Sequence, residues 1–97
     1  MFGITIVASA RDDLRRLRRY ARQQVSDAID TQLPYEPDRE TRNRKRLQPN
    51  SLSEWQLRIG NYRVFYDVDQ STRQVLIVAV GHKQGNRLIV RGQEYTL

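Results

Sequence analysis

The chain has 97 residues, 38% of them hydrophobic, which is enough for one compact domain over 1–97 but leaves no room for a second. It has no cysteine and one histidine, which excludes disulfides and thiolate chemistry and leaves too few ligands for a structural zinc site. Seventeen basic residues, all but two of them arginine, face eleven acidic ones, giving a formal net charge of +6. This charge favours a polyanionic or strongly acidic partner, although codon composition would explain the arginine bias equally well.

The first segment, Phe2 to Val7, is apolar and rich in β-branched residues, and this composition predicts a strand covered on at least one side. Extended to Ala8, the apolar run is too short to span a bilayer and no basic segment precedes it. We therefore expect neither a signal peptide nor a membrane contact, and we expect a cytoplasmic protein.

A helical segment follows the first strand. Ser9 to Asp12 resembles a capping box, and apolar residues then recur at three- and four-residue intervals, so the pattern predicts helix from Ala10 to Leu33. No glycine or proline marks a break, so both one long helix and a helical hairpin bending near Arg19 to Arg22 fit the pattern. Most of the arginines in this segment point outward in either case.

The segment from Tyr35 to Asn50 is polar and highly charged, and two prolines stop the preceding helix, so it is predicted to be an exposed connection. A basic loop of this kind is suited to following a phosphate backbone, because each neutralised phosphate releases counterions. An ordinary solvated loop, balanced by three nearby carboxylates, is the alternative. The basic residues of the segment are Arg39, Arg42, Arg44, Lys45 and Arg46.

Apolar and polar residues alternate between Leu57 and Asp69 around Gly60-Asn61, which predicts a β-hairpin with a tight turn. Successive side chains of a strand point to opposite faces. Arg63 and Phe65 therefore share one face, which faces away from the helices. This face is able to bind an anion, unless its arginines are paired with nearby carboxylates on an ordinary solvated surface.

The apolar run Val75 to Val80 predicts a central strand, which ends in Gly81-His82-Lys83. At a strand end His82 reaches solvent and ligands, so it is either a hydrogen-bonded structural residue or an acid–base group. A turn, a short strand from Leu88 to Val90 and an extended tail complete the chain.

Three segments, Thr41–Leu47, Trp55–Asp69 and Val78–Lys83, resemble the RelE/ParE superfamily of type II toxins, in its RelE-like branch. The pattern Leu-Arg-x-Gly-x-Tyr-Arg-Val-x-Tyr within the second segment carries most of the resemblance. It implies a small α+β fold in which an N-terminal strand and a helical hairpin precede antiparallel strands, which form a sheet with the helices packed on one face.

The resemblance also implies a function. RelE-like members are ribosome-dependent endoribonucleases that cut mRNA in the A site without a metal or a cofactor and so inhibit translation. ParE-like members share the fold but inhibit DNA gyrase. Both kinds are held inactive by a cognate acidic antitoxin in a hetero-oligomer, so the implied partners are an antitoxin, the ribosome and mRNA.

Particular residues follow from the resemblance. Arg63 falls where RelE-like toxins place a phosphate-stabilising arginine, Lys83 falls near their second basic residue, and His82 matches a histidine thought to act as acid or base. These three are the predicted catalytic residues. The predicted RNA-binding residues are Arg44, Lys45, Arg46, Arg58 and Phe65.

The chain also departs from the ribonuclease pattern. Glu54 and Gln56 stand where the prototype has two lysines, and Ile89 aligns near the family's terminal tyrosine. Tyr95 in the tail is one substitute for that tyrosine, and Glu54 is a second possible general base or an ion-pair partner of Arg58. These departures leave a ParE-like gyrase inhibitor or a catalytically degenerate antitoxin-binding member as alternatives.

Overall fold

A computed structural model describes residues 1–97 and contains two helices and seven strands. The elements, in chain order, are β1 (Gly3–Ile6), α1 (Ala8–Arg15), α2 (Arg19–Gln32), β2 (Arg44–Arg46), β3 (Trp55–Ile59), β4 (Tyr62–Asp69), β5 (Gln74–Gln84), β6 (Arg87–Val90) and β7 (Gln93–Tyr95).

The helical segment is a hairpin rather than one long helix. It bends at residues 16–18, just before the expected position, where the Leu17 amide bonds to the Leu14 carbonyl at 3.1 Å. The bend lets both helices place apolar residues, including Leu14 and Val25, in one core against the sheet. The predicted capping box is wrong, because α1 already begins at Ala8, with Val7 as its N-cap and no side-chain cap.

The sheet has the strand order β2-β3-β4-β5-β6-β7 with antiparallel neighbours, and β1 pairs with β5 in parallel. The predicted hairpin is confirmed as β3 and β4. Leu57 pairs with Val64 and Ile59 with Tyr62, and Gly60 turns the chain at φ +57°. The left-handed conformation at this turn is one that glycine adopts without a steric cost.

Two parts of the chain that were predicted to lack regular structure form strands at the edges of the sheet. Residues 44–46, predicted as loop, form β2 against β3, and the tail forms β7 against β6. Both are only three residues long, and strands this short carry no alternation of apolar and polar residues that a sequence pattern can detect.

The sheet packs a core on each face. The larger core lies under the helices and includes Trp55, whose ring stacks on Tyr66 at 6.2 Å. A smaller core on the opposite face contains Phe65, Ala79, Leu88 and Val90. The register between β4 and β5 shifts after Phe65 and leaves Val78 unpaired, so Ile77 and Val80 both face the helices.

One edge of β5 is completed by side chains rather than by a strand. β1 pairs with β5 as far as Ile77, and β6 pairs with it from His82 onward. Between them the Val80 amide donates to Asp13 Oδ2 at 3.0 Å, and Arg91 Nη2 donates to the Val78 carbonyl at 3.0 Å. Arg91 Nε also donates to Asp13 Oδ1 at 2.9 Å. This ion pair therefore links α1 to the turn between β6 and β7.

Tyr66 gives a testable pH dependence. Its hydroxyl donates to the Pro37 carbonyl at 2.7 Å, and burial raises the pKa of the phenol above its ordinary value of 10.0. The folded state therefore favours the neutral phenol, and the resulting stability is present below about pH 10 and is lost as the pH rises further. We expect Y66F to lose about 1 kcal/mol at neutral pH and to lose less stability than the wild type on going to about pH 11. Urea unfolding at both pH values checks this, and equal alkaline losses in the two proteins would contradict it.

Candidate functional site

Four cations share the sheet face that lies opposite the helices. Arg58 pairs with Arg63 across β3 and β4, and paired residues point to the same side. Lys45 pairs with Gln56 in the same way, and Lys83 lies two residues beyond Gly81, the partner of Arg63 on β5. We call Lys45, Arg58, Arg63 and Lys83 the cationic face.

A cavity of about 290 Å³ opens on this face, between the central strands and the β6–β7 hairpin. Three of the four cations line it, and the residues that complete its wall include Gln56, Arg87, Glu94 and Tyr95. Lys45 thus places a positive charge directly beside Gln56, where the sequence lacks an expected lysine. Tyr95 brings the aromatic ring that is missing at Ile89 to the same cavity.

Arg63 is held in place by the hairpin turn. Its Nη1 donates to the Gly60 carbonyl at 2.8 Å and to the Tyr62 carbonyl at 2.9 Å. Burial, and after it the Arg58 guanidinium, lower the pKa of Arg63. An arginine still carries its charge at neutral pH, so the guanidinium keeps free N–H groups for a phosphate oxygen.

The charges of the cationic face are not neutralised within the chain. None of its four members takes part in an ion pair, and the Arg58 guanidinium donates one hydrogen bond, to the side-chain oxygen of Asn43 at 3.5 Å. A solvated surface of mutually paired charges, the alternative considered for this hairpin, is therefore not what the residues form. A bound anion would relieve the repulsion between these neighbouring cations.

His82 does not join the predicted catalytic residues. It pairs with Tyr62 across β4 and β5, so its side chain lies on the helix side of the sheet, whereas Arg63 and Lys83 lie on the other side. The prediction that His82 acts beside these residues is therefore wrong. Residues adjacent in sequence point to opposite faces of a strand, and this separates His82 from Lys83.

Three predicted RNA contacts are also corrected. Phe65 is fully buried in the smaller core, so its ring cannot stack on a base. The Arg44 guanidinium donates to the carbonyls of Gln32 and Glu36, at 3.0 and 2.7 Å, and ties the end of α2 to β2. Arg46 lies 5.8 Å from the centre of the Trp55 ring. Alternation along β2 explains the outcome, because only Lys45 of the three basic residues faces the cavity.

Glu54 forms an ion pair with Arg46 at 3.5 Å rather than with Arg58. It also lines a second cavity, of about 680 Å³, which runs along residues 46–54. Two further carboxylates, Glu40 and Asp67, line the same cavity. Carboxylates repel phosphate, so the smaller cationic cavity is the better candidate for binding a nucleic acid backbone.

The structure was also compared with the requirements of a metal site and of a membrane-spanning helix. No group of three or more histidine, cysteine or carboxylate side chains is placed to hold a metal ion. Neither helix is long and apolar enough to cross a membrane.

Comparison with known proteins assigns the family. A sequence model described as the ParE toxin of the type II toxin–antitoxin system parDE matches residues 4–87. The chain belongs to this toxin family. It is therefore a type II toxin of the RelE/ParE superfamily, as the resemblance implied. No curated protein matches the chain significantly.

Solved structures support the same fold. A chain of the RelBE2 toxin–antitoxin complex from Mycobacterium tuberculosis is 27% identical, with a TM-score of 0.73 over 84% of this toxin and 98% of that chain. A chain of the archaeal RelE–RelB complex from Pyrococcus horikoshii is 23% identical, with a TM-score of 0.67 over 88% and 97% of the two chains. The intact Escherichia coli RelBE complex matches at 16% identity and a TM-score of 0.53, over 88% of this toxin and 100% of that chain. The last two likenesses concern the fold alone.

Proposed function

We propose that this toxin is a RelE-like endoribonuclease that cleaves mRNA on the ribosome and so inhibits translation. The observation that carries the proposal is the cationic face, where Arg63, Lys45 and Lys83 line one cavity without any ion-pair partner. Cations left unpaired around a cavity are suited to a phosphate group. Arginine in particular offers a planar fork of donors that matches phosphate oxygens.

The chemistry needs three contributions. The 2′-oxygen of one nucleotide forms a bond to the neighbouring phosphorus while the bond from phosphorus to the 5′-oxygen breaks, which gives a 2′,3′-cyclic phosphate and a 5′-hydroxyl. In this proposal Arg63 and Lys83 stabilise the charge that builds up on the phosphoryl oxygens. The 2′-hydroxyl gives up its proton to solvent water, since Glu94 of the cavity wall is held in an ion pair by Arg87, and the leaving 5′-oxygen takes a proton. Tyr95 and Lys83 are the proton-bearing side chains of the cavity that can serve the leaving oxygen.

Partners follow from the same proposal. The structural relatives are described as complexes of toxin and antitoxin. We propose that this toxin is likewise held inactive in a hetero-oligomer by a cognate acidic antitoxin, to which a chain of net charge +6 is electrostatically complementary. The ribosome would present the message, which places the reaction in the cytoplasm.

A ParE-like inhibitor of DNA gyrase is the second candidate. It is favoured by the description of the matched family and by the position of His82, which removes one expected acid–base group from the cavity. A toxin that only binds its target needs a shaped, charged surface and no proton transfer.

Parallel assays with one protein preparation separate the two candidates. Purified toxin is added to mRNA-programmed ribosomes, whose message is then mapped by primer extension, and to gyrase in a supercoiling assay. We expect cuts within the codon in the A site and undisturbed supercoiling. Inhibited gyrase with an intact message would support the second candidate instead, and no effect in either assay would indicate a catalytically degenerate member.

A further inference from the structure

A second basic surface lies where the two helices meet. Six arginines between residues 11 and 22 are exposed to solvent on α1, on the bend and on the start of α2. The helices cover the sheet face opposite the cationic face, so this surface is separate from the candidate active site. We call it the arginine corner, and its members are Arg11, Arg15, Arg16, Arg18, Arg19 and Arg22.

Few carboxylates balance the arginine corner. Arg15 pairs with Asp12 at 3.3 Å, and both side chains are more than half exposed, so this pair is weak. Arg16 lies 3.9 Å from Asp13, whose carboxylate is already bound by Arg91. The three arginines at 18, 19 and 22 have no ion-pair partner at all.

Tyr20 lies between Arg19 and Arg22 on α2 and is 84% exposed, more than any other large hydrophobic residue of the chain. The buried residues of the same helix are Ala21, Val25 and Ile29. The corner therefore offers spread positive charge and one free aromatic ring. The buried core of a protein interface is depleted in charged residues, whereas a nucleic acid backbone is bound mainly through charge.

We propose that the arginine corner binds structured RNA through its phosphate backbone, with Tyr20 stacking on a base or ribose at the RNA surface. Aromatic side chains and arginine planes make such contacts in many RNA complexes. The toxin then holds two RNA segments at once, a folded one on its helices and the message on its cationic face. This inference rests on RNA being the target, as proposed above. It explains how a small protein gains affinity for RNA through a second contact beside its cationic cavity.

Binding to a fully base-paired, fluorescein-labelled RNA hairpin tests the proposal by anisotropy across a salt series. The variant R18A/R22A removes two unpaired charges one helical turn apart, and R39A/R42A removes the same number from exposed positions outside the corner. We expect R18A/R22A to weaken binding about tenfold and to lower the slope of log K against log salt by about 2, roughly one per lost phosphate contact. We expect R39A/R42A to bind like the wild type.

Three outcomes would overturn the proposal. R18A/R22A binding as tightly as the wild type would show that the corner does not contact RNA, and equal losses in both variants would show a response to net charge alone. A poly-glutamate peptide that binds as tightly as the hairpin, with the same loss in R18A/R22A, would indicate an acidic protein partner instead.

The hairpin assay involves no cleavage, so its result is independent of the ribosome and gyrase assays. An uncut mRNA on the ribosome would count against the proposed ribonuclease activity alone. Unchanged hairpin binding by R18A/R22A would count against the arginine corner alone.

Discussion

Replacing Asp13 with alanine is expected to lower the free energy of unfolding by about 2–4 kcal/mol, which would be the largest stability effect of any exchange of a charged residue in this chain. The Asp13 side chain is only 3% exposed and accepts bonds from both the Val80 amide and Arg91. Its removal leaves the Val80 amide without a partner at the gap along β5 and leaves Arg91 with the Val78 carbonyl as its one remaining acceptor. The expected loss of stability is smaller than for a fully buried ion pair, because the Arg91 side chain is 36% exposed and can be hydrated.

Thermal and urea unfolding of D13A check this expectation, and D12A is the matched control. Asp12 is the adjacent residue, but it is exposed and makes only a surface pair with Arg15. Its loss should cost no more than about 0.5 kcal/mol. In a domain of this size each kcal/mol corresponds to roughly 4–8 °C, so D13A should melt at least about 8 °C below the wild type. Equal melting temperatures for D13A and D12A would show that the ion pair does not hold this edge of the sheet.

Replacing Arg63 with alanine is expected to slow RNA cleavage about 10²- to 10³-fold, the usual cost of removing one preorganised donor from a developing negative charge. R63K keeps the charge but loses the planar fork, so its rate should fall between those of R63A and the wild type. Single-turnover cleavage of ribosome-bound mRNA measures both. Circular dichroism should show all these variants folded, since Arg63 contributes to neither of the two cores.

H82A serves as the control for this series because its side chain lies on the other face of the sheet. We expect its cleavage rate to stay within about twofold of the wild type, since His82 cannot reach a phosphate bound at Arg63. Unchanged cleavage by R63A, or a loss in H82A as large as that in R63A, would place the reaction elsewhere on the molecule.

The sequence predicted those features that depend on local chemistry. Alternation around Gly60-Asn61 predicted the β3–β4 hairpin, and the same parity placed Arg63 on the face away from the helices, as observed. The helical hairpin was one of two open alternatives, because its bend depends on packing against the sheet and no glycine or proline marks it.

The sequence could not predict features that depend on pairing between distant strands. The unpaired Val78 shifts the register between β4 and β5. The side of the sheet on which the neighbouring side chains lie therefore depends on strand pairing and not on composition. The family resemblance implied that His82 and Lys83 are both catalytic, whereas strand geometry places their side chains on opposite faces of the sheet. The reverse holds for Tyr95 and Lys45, which are far apart in the chain but line one cavity.

All three basic residues of β2 are predicted RNA contacts, because the sequence pattern indicates a loop over these residues. A strand alternates its side chains, which turns Arg44 and Arg46 toward the helix side and leaves Lys45 for the cationic face. For Phe65 the predicted face is correct but the predicted exposure is not. Its parity with Arg63 was correct, but a second core on that face buries its ring completely.

Cleavage of mRNA on purified ribosomes, with the ends of the products identified, tests the central claim most directly. We predict that the wild-type toxin cuts the message in the A site, leaves a 2′,3′-cyclic phosphate and a 5′-hydroxyl, and fails to cut when a single 2′-deoxynucleotide replaces the attacking one. An intact message, or a cut that persists through the 2′-deoxy position, would contradict the assignment of the cationic face as the site of RNA cleavage.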